Sequence, residues 1–89
     1  MTEREIEITN QLGLHARAAA KLVHLTGQYP CEVRIELDGR EVDAKSILGL
    51  LLLAAPVGTR LLVRCSGPQE DEAVEAIATL FAERFGEAE

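Results

Sequence analysis

The chain has 89 residues, of which 47% are hydrophobic and 3% aromatic. A chain of this length can form one hydrophobic core, so we expect a single domain over residues 1–89. Its formal net charge is −6 at pH 7, without a run of lysine or arginine, which argues against nucleic acid as the main partner. The longest apolar run, Ile47 to Val57, is too short for membrane insertion, and the charged start MTEREIEIT does not resemble a signal peptide.

A strand and a helix are predicted at the start of the chain. EIEIT alternates between polar and apolar residues, which places Ile6 and Ile8 on one face of a first strand. HARAAAKLVHLTG, residues 15–27, has the apolar spacing of a helix, with Gly27 as a C-terminal cap and Pro30 preventing its continuation.

A β-hairpin is predicted next. CEVRIEL alternates, with four residues facing inward: Cys31, Val33, Ile35 and Leu37. Asp38-Gly39 is a strong signal for a two-residue turn, so REVDA is the return strand. Both cysteines, Cys31 and Cys65, fall in strand-like segments and are expected to be reduced core residues. The sequence lacks the CxxC or HxxxH spacing of a metal site, and we expect neither a metal nor a cofactor.

Two helices and a fourth strand are predicted in the second half. SILGLLLLA forms a short helix with Ser46 as its N-cap, and TRLLVRCS forms the fourth strand. PQEDEAVEAIATLFAERFG, residues 68–86, is predicted as one helix. Its acidic first turn, Arg84 in its last turn and the following Gly86 all match the helix macrodipole.

The element order βαββαβα predicts an α+β fold. It is an open-faced β-sandwich, in which three helices cover one face of a four-stranded antiparallel sheet. The main competing class is a ferredoxin-like βαββαβ module, such as a metal carrier or a small-molecule regulatory domain. That class predicts a chain ending near the fourth strand, whereas here a long helix follows and metal ligands are missing.

His15 is the candidate functional residue, because it stands where the first helix begins. The first N–H groups of a helix have no partner within it, and the macrodipole adds partial positive charge there. This field favours an anion and disfavours an imidazolium, so we expect a neutral His15 with a lone pair that can attack phosphorus. Arg17 is then suited to pair with the phosphoryl oxygens. Four small residues would let another protein approach closely: Ala16, Ala18, Ala19 and Ala20.

This pattern favours reversible phosphorylation of His15 over hydrolysis. No general base is evident in the sequence to activate water, and a deep pocket is not expected at this size. The alternative is that His15 is only a helix cap or a surface residue, which is the usual role of a lone histidine near a helix start. A purely structural interaction domain is a further alternative, but it leaves His15 and Arg17 unexplained.

GLHARAAAKLV and KSILGLLLLA together resemble the two motifs of the HPr family of phosphocarrier proteins of the bacterial phosphoenolpyruvate-dependent phosphotransferase system. The resemblance covers essentially the whole chain. It implies that His15 carries phosphate on Nδ1 and that Arg17 assists the phosphoryl group. The implied donor is Enzyme I, the implied acceptors are enzyme IIA proteins, and the implied location is the cytoplasm. We expect a monomer, although the sequence leaves a strand-swapped dimer open.

One departure concerns the branch of the system. Sugar-branch members usually have proline after the arginine, where this chain has Ala18. The motif around His15 and the end of the chain are more similar to NPr, the nitrogen-branch homologue. Alanine also suits the first turn of a helix, so the reaction should be unaffected.

The second motif implies two further roles. The residue matched by Ser46 is phosphorylated by an HPr kinase/phosphorylase in some bacteria, although Ser46 is also explained as a simple N-cap. Matched positions form an apolar docking surface: Ala16, Ala20, Ile47, Leu48 and Leu51. The run of leucines cannot all be buried in one short helix, so we expect Leu50 and Leu53 to face the core and the docking residues to be exposed.

Overall fold

The computed structural model describes residues 1–88 and contains four strands, three helices and a short 3-10 turn. Their bounds are β1 Thr2–Glu7, α1 Ala16–Thr26, β2 Glu32–Leu37, β3 Arg40–Asp43, α2 Ile47–Leu53, β4 Arg60–Ser66, α3 Glu70–Ala82 and the 3-10 turn Arg84–Gly86. The strands form one antiparallel sheet in the order β1-β4-β2-β3. The predicted fold class and element order are confirmed.

The core lies between the sheet and the helices. Alternate residues of the two central strands are fully buried: Val33, Ile35, Leu61, Val63 and Cys65. The opposite face of the sheet is charged, and Arg64 lies 2.6 Å from Glu3 and 2.9 Å from both Glu36 and Glu41. Exposed ion pairs of this kind contribute little to stability, so the fold depends mainly on its apolar side.

The predicted hairpin and the predicted state of the cysteines are confirmed. Asp38 and Gly39 have φ values of 50° and 82°, the left-handed conformations that a tight hairpin turn requires. Cys31 and Cys65 are free and buried. Burial, and to a smaller extent the neighbouring Cys31, raises the pKa of the Cys65 thiol to about 12. This thiol is therefore unreactive at neutral pH.

The end of α3 differs from the prediction of one helix reaching residue 86. The helix ends at Ala82, and Arg84 and Phe85 adopt φ values of 55° and 56°. Phe85 is 1% exposed and packs edge-on against Phe81, with ring centroids 4.9 Å apart. Burying the Phe85 ring offsets the free-energy cost of two residues in the left-handed conformation, which is about 1–2 kcal/mol for each residue. The chain therefore turns back, and Glu87 reaches the start of α1.

Candidate functional site

His15 is the N-cap of α1, as its position in the sequence predicts. Its backbone is extended, with φ −81° and ψ −179°, and its carbonyl accepts the first helical hydrogen bond from Ala19 at 2.8 Å. The ring folds over the helix start, where Nδ1 accepts a long hydrogen bond from the backbone N–H of Arg17 at 3.3 Å. The side chain is 28% exposed, so the ring is partly accessible to solvent.

A tight loop before the helix fixes the position of His15. Gly13 has a φ of +67°, and a Cβ at this position would lie 2.6 Å from the carbonyl oxygen of Ala55. Only glycine fits here, because both the left-handed backbone and the close approach exclude a side chain. Leu14 donates its N–H to that same carbonyl oxygen at 2.9 Å. The loop is thereby attached to the segment that follows α2.

Glu87 forms the other half of the site and was not predicted from the sequence. Its Oε2 lies 2.5 Å from Nε2 of His15, and its Oε1 accepts a hydrogen bond from Nδ2 of Asn10 at 3.0 Å. The hydrogen bond with His15, assisted by that from Asn10, holds the pKa of Glu87 below its ordinary value, although burial acts in the opposite direction. His15 and Glu87 are 72 positions apart, and no sequence pattern links them.

The contact with Glu87 indicates the tautomer of the ring. A carboxylate can only accept, so the hydrogen between Nε2 and Glu87 belongs to the ring. Nδ1 receives the N–H of Arg17 and therefore presents a lone pair. The partial positive charge of the helix terminus and the negative charge of Glu87 thus both act on the ring, and only the first of them was predicted from the sequence.

Arg17 is exposed in the first turn of α1, two residues after His15, and the groove that it lines does not include His15 or Glu87. It lines a groove of about 460 Å³ together with Ala20, Lys21 and His24 of α1 and Leu80 of α3. Within residues 1–88 its guanidinium forms no salt bridge, and its contact with His15 is made by the backbone N–H alone. The five donors of this guanidinium are thus available to an incoming anion.

The predicted apolar surface is exposed. Ile47, Leu48 and Leu51 are 43%, 68% and 37% exposed, whereas Leu50 and Leu53 are buried, which confirms the expected division of the leucine run. Ala16 and Ala20 are exposed as well. We call the set Ala16, Ala20, Ile47, Leu48 and Leu51 the α1–α2 face.

The expectation that four alanines would be open to a partner was wrong for two of them. Ala18 and Ala19 are completely buried, because the helical repeat places them on the same stripe as Leu22 and Thr26. The sequence did not predict the exposure of Leu12, Leu52 and Val57, which are 70%, 62% and 48% exposed.

Ser46 is the N-cap of α2, as predicted. Its Oγ accepts a hydrogen bond from the N–H of Gly49 at 3.2 Å, and its carbonyl accepts from Leu50 at 3.1 Å. Among residues 1–88, no group of three or more histidine, cysteine or acidic side chains could hold a metal ion. Within that same range, no helix has the length and apolarity needed to cross a membrane.

Comparison with known proteins places the chain in a family. The family model described as the PTS HPr component phosphorylation site matches residues 2–83. The phosphocarrier protein HPr of Pseudomonas aeruginosa is 50% identical over 90 residues, which cover 100% of both chains. The chain belongs to the HPr family. It is accordingly a phosphocarrier of the phosphotransferase system.

Two other HPr-family proteins bear on the branch and on the fold. The phosphocarrier protein NPr of Escherichia coli is 42% identical over 86 residues, 96% of each chain. The crystal structure of an HPr from Thermoanaerobacter tengcongensis superposes with a TM-score of 0.96 at 37% identity and covers 100% of each chain. The HPr-like fold is therefore confirmed, while both HPr and NPr proteins are found among the similar sequences.

Proposed function

We propose that this protein accepts a phosphoryl group on His15 from phosphorylated Enzyme I and passes it to an enzyme IIA protein. The observation that carries the proposal is the Nδ1 lone pair of a partly exposed histidine at the N-terminus of α1. A phosphate on Nδ1 would lie beside backbone N–H groups that have no partner within the helix, and these groups favour an anion.

Arg17 supports this assignment. Its guanidinium has no salt-bridge partner in the described residues, so it can donate to the phosphoryl oxygens without breaking an existing pair. Hydrogen bonds to a charged group contribute about 1.5–3 kcal/mol each, which makes Arg17 the main stabiliser of the transferred group.

We further propose that the α1–α2 face is the docking surface for both partners. It presents exposed apolar side chains on α1, the helix that begins at His15, and on α2, which packs against α1. An exposed apolar patch usually marks a protein interface. Ser46 opens α2 within this surface. A phosphate on Ser46, added by an HPr kinase/phosphorylase, would put about −2 charge into an apolar interface and weaken docking.

The chain is proposed to act as one domain over residues 1–89, as a monomer in the cytoplasm. The described sheet and core are complete within one chain, which supports the monomer. We favour the nitrogen-regulatory branch because of Ala18, although the reaction would be the same in the sugar branch. The first helical hydrogen bond is donated by Ala19, so the N–H of Ala18 has no partner in the helix and proline would be tolerated there.

Replacing the histidine tests the function. The His15→Ala variant should accept no phosphate from phosphoenolpyruvate and Enzyme I, and it should lose only the stability of a helix cap, about 1 kcal/mol. Radiolabelled phosphate, followed by acid treatment, measures the acid-labile product. The matched control is His24→Ala, which removes the exposed histidine in the last turn of α1 and should be labelled normally. Continued acid-labile labelling of His15→Ala would falsify the assignment.

A test with each Enzyme I paralogue of the same cell then separates the branches. Preferential phosphorylation by the nitrogen-branch Enzyme I is expected. Equal or faster transfer from the sugar-branch enzyme would contradict the branch while leaving the phosphocarrier function intact.

A further inference from the structure

The segment after α3 folds back over the start of α1 and ends on the candidate site. Phe85 anchors this segment in the core, and Nζ of Lys21 donates a hydrogen bond to the Phe85 carbonyl oxygen. Glu87 follows and is held between Asn10 and His15. Its side chain is only 14% exposed and contacts both Asn10 and His15, so it is an enclosed part of the site.

We propose that Glu87 is a positioning residue for phosphoryl transfer, which keeps the ring hydrogen of His15 on Nε2 and so reserves the Nδ1 lone pair for phosphorus. This inference rests on the proposed function of His15. Glu87 does not touch the phosphoryl group and acts only through the ring.

Asn10 holds the Glu87 carboxylate in position. This residue is fully buried, and its Nδ2 donates both to the Gly13 carbonyl oxygen at 2.8 Å and to Oε1 of Glu87 at 3.0 Å. Its Oδ1 has no hydrogen-bond partner among the described residues, which costs free energy. The Asn10 side chain thus stays partly unsatisfied, while its Nδ2 holds both the Gly13 carbonyl oxygen and the Glu87 carboxylate.

The charges around the ring are few. Glu87 faces the ring from the C-terminal segment, and Arg17 and Lys21 are the cations of α1 near it. The loop of residues 8–14 and helix α2 carry no titratable side chain. Glu87 is therefore the main negative charge that can balance a positive ring, and its low exposure reduces screening by solvent.

The transfer step then needs no proton movement at the ring. The long hydrogen bond from the Arg17 N–H to Nδ1 breaks, and the freed Nδ1 lone pair forms a bond to phosphorus. The bond from phosphorus to the donor breaks, and its electron pair leaves with the donor. The ring keeps its Nε2 hydrogen and becomes a phosphoimidazolium, whose positive charge faces Glu87. In the onward step the acceptor attacks phosphorus, the Nδ1–phosphorus bond breaks, and the electron pair returns to Nδ1 as the original lone pair.

Substituting glutamine gives a sharp test of this role. In Glu87→Gln, the single amide oxygen cannot replace both carboxylate oxygens, because Asn10 and His15 each present a hydrogen to this side chain. Because Asn10 is fully buried and its hydrogen has no other acceptor at this position among the described residues, we expect the amide oxygen to stay on Asn10. Nε2 of His15 then faces the amide NH₂, and the ring hydrogen moves to Nδ1, which breaks the hydrogen bond from the Arg17 N–H. Nitrogen-15 NMR of the unphosphorylated protein should therefore report the Nε2–H tautomer in wild type and a clear loss of it in the variant.

The matched control is Glu83→Gln, which removes an exposed carboxylate from the same segment without a side-chain partner in residues 1–88. Its tautomer should equal that of wild type. Glu87→Asp keeps the charge but shortens the side chain, and it should fall between wild type and Glu87→Gln. An unchanged Nε2–H tautomer in Glu87→Gln would overturn the proposal, provided that the backbone spectrum shows an intact fold.

A second readout uses the phosphorylated proteins, prepared with phosphoramidate so that docking of Enzyme I plays no part. Loss of phosphate from the ring is followed as a function of pH. Removing the Glu87 charge in Glu87→Gln should lower by about one unit the pH at which the hydrolysis rate is half-maximal. At pH values above this midpoint, the variant should lose phosphate about tenfold more slowly than wild type. Superimposable profiles for wild type and Glu87→Gln would also contradict the proposal. Failure to label His15 at all would instead reject the proposed function. The tautomer measurement would still test the role of Glu87, because it uses the unphosphorylated protein.

Discussion

At the scale of single residues, the site is a histidine whose two ring nitrogens have opposite neighbours. Nδ1 meets a backbone N–H of α1, and Nε2 meets the Glu87 carboxylate. Local sequence was enough to predict the first neighbour, since a residue at a helix start faces the free N–H groups. The second neighbour depends on a fold that brings residues 15 and 87 together, and local patterns carry no such information.

Arg17→Ala should slow phosphoryl transfer by about 10- to 100-fold, because a charge-assisted hydrogen bond of about 1.5–3 kcal/mol is lost in the transferred state. Affinity for Enzyme I should change less than about fivefold, since an exposed charge contributes about 0–1 kcal/mol to docking. Rapid-quench transfer rates and calorimetry measure the two effects separately.

Arg40→Ala provides the comparison for Arg17, because it removes an exposed arginine from β3 while leaving α1 intact. Its transfer rate and affinity should match those of wild type. If Arg17→Ala transferred phosphate at the wild-type rate, the guanidinium would have no part in the reaction.

At the scale of elements, α2 combines two tasks in seven residues. Its inner side contributes Leu50 and Leu53 to the core, and its outer side carries most of the α1–α2 face. This division was predictable, because a short helix in a thin layer cannot bury a leucine on every side.

Two substitutions of Ser46 separate capping from regulation. Ser46→Ala removes the hydrogen bond to Gly49 and should lower the free energy of unfolding by about 1 kcal/mol, with unchanged affinity for Enzyme I. Ser46→Asp preserves a good N-cap but introduces a negative charge, so stability should be retained while affinity falls. Thermal unfolding and calorimetry distinguish the variants, and equal affinity of Ser46→Asp and wild type would remove the argument for regulation.

Helix α3 illustrates why an element boundary was predicted incorrectly. Phe81 and Phe85 are four positions apart, which is also the spacing of neighbours on a helix face, so the apolar pattern continues past the true end. In the structure Phe85 reaches the core through a left-handed turn instead. Periodicity reports which residues are buried, but two backbone paths can bury the same ring.

At the scale of the whole molecule, the element order, the β2–β3 hairpin and the antiparallel sheet followed from alternation, turn residues and chain length, whereas the pairing of β4 with both β1 and β2 was not predicted. The contacts that close the fold are less visible in the sequence, and Glu70 is an example. This residue at the start of α3 binds the amino group of Met1 at 2.9 Å, the N–H of Gly67 at 3.0 Å and the hydroxyl of Thr2 at 2.8 Å. The hydrogen bond from the Met1 amino group is the main cause that lowers the pKa of Glu70 to about 2.

Glu70 should therefore make stability depend on pH in the acid range. A carboxyl group whose pKa is lower in the folded state stabilises the fold above its ordinary pKa of 4.5, and this contribution is lost as pH falls toward about 2. Glu70→Gln should have a lower Tm than wild type at pH 7, and the difference should disappear near pH 2. Glu72→Gln, an exposed change in the same helical turn, serves as the control. A Tm difference for Glu70→Gln that did not vary with pH would contradict the linkage.

The α1–α2 face also has a consequence for how copies of this protein meet one another. Its outward leucines attract any apolar surface, including the same face of a second molecule, and this attraction persists when salt is added. The net charge of −6 at pH 7 opposes such encounters by mutual repulsion, which salt screens within about 10 Å at 0.1 M. The acidic surplus thus opposes self-association through the α1–α2 face, and this effect weakens as ionic strength rises.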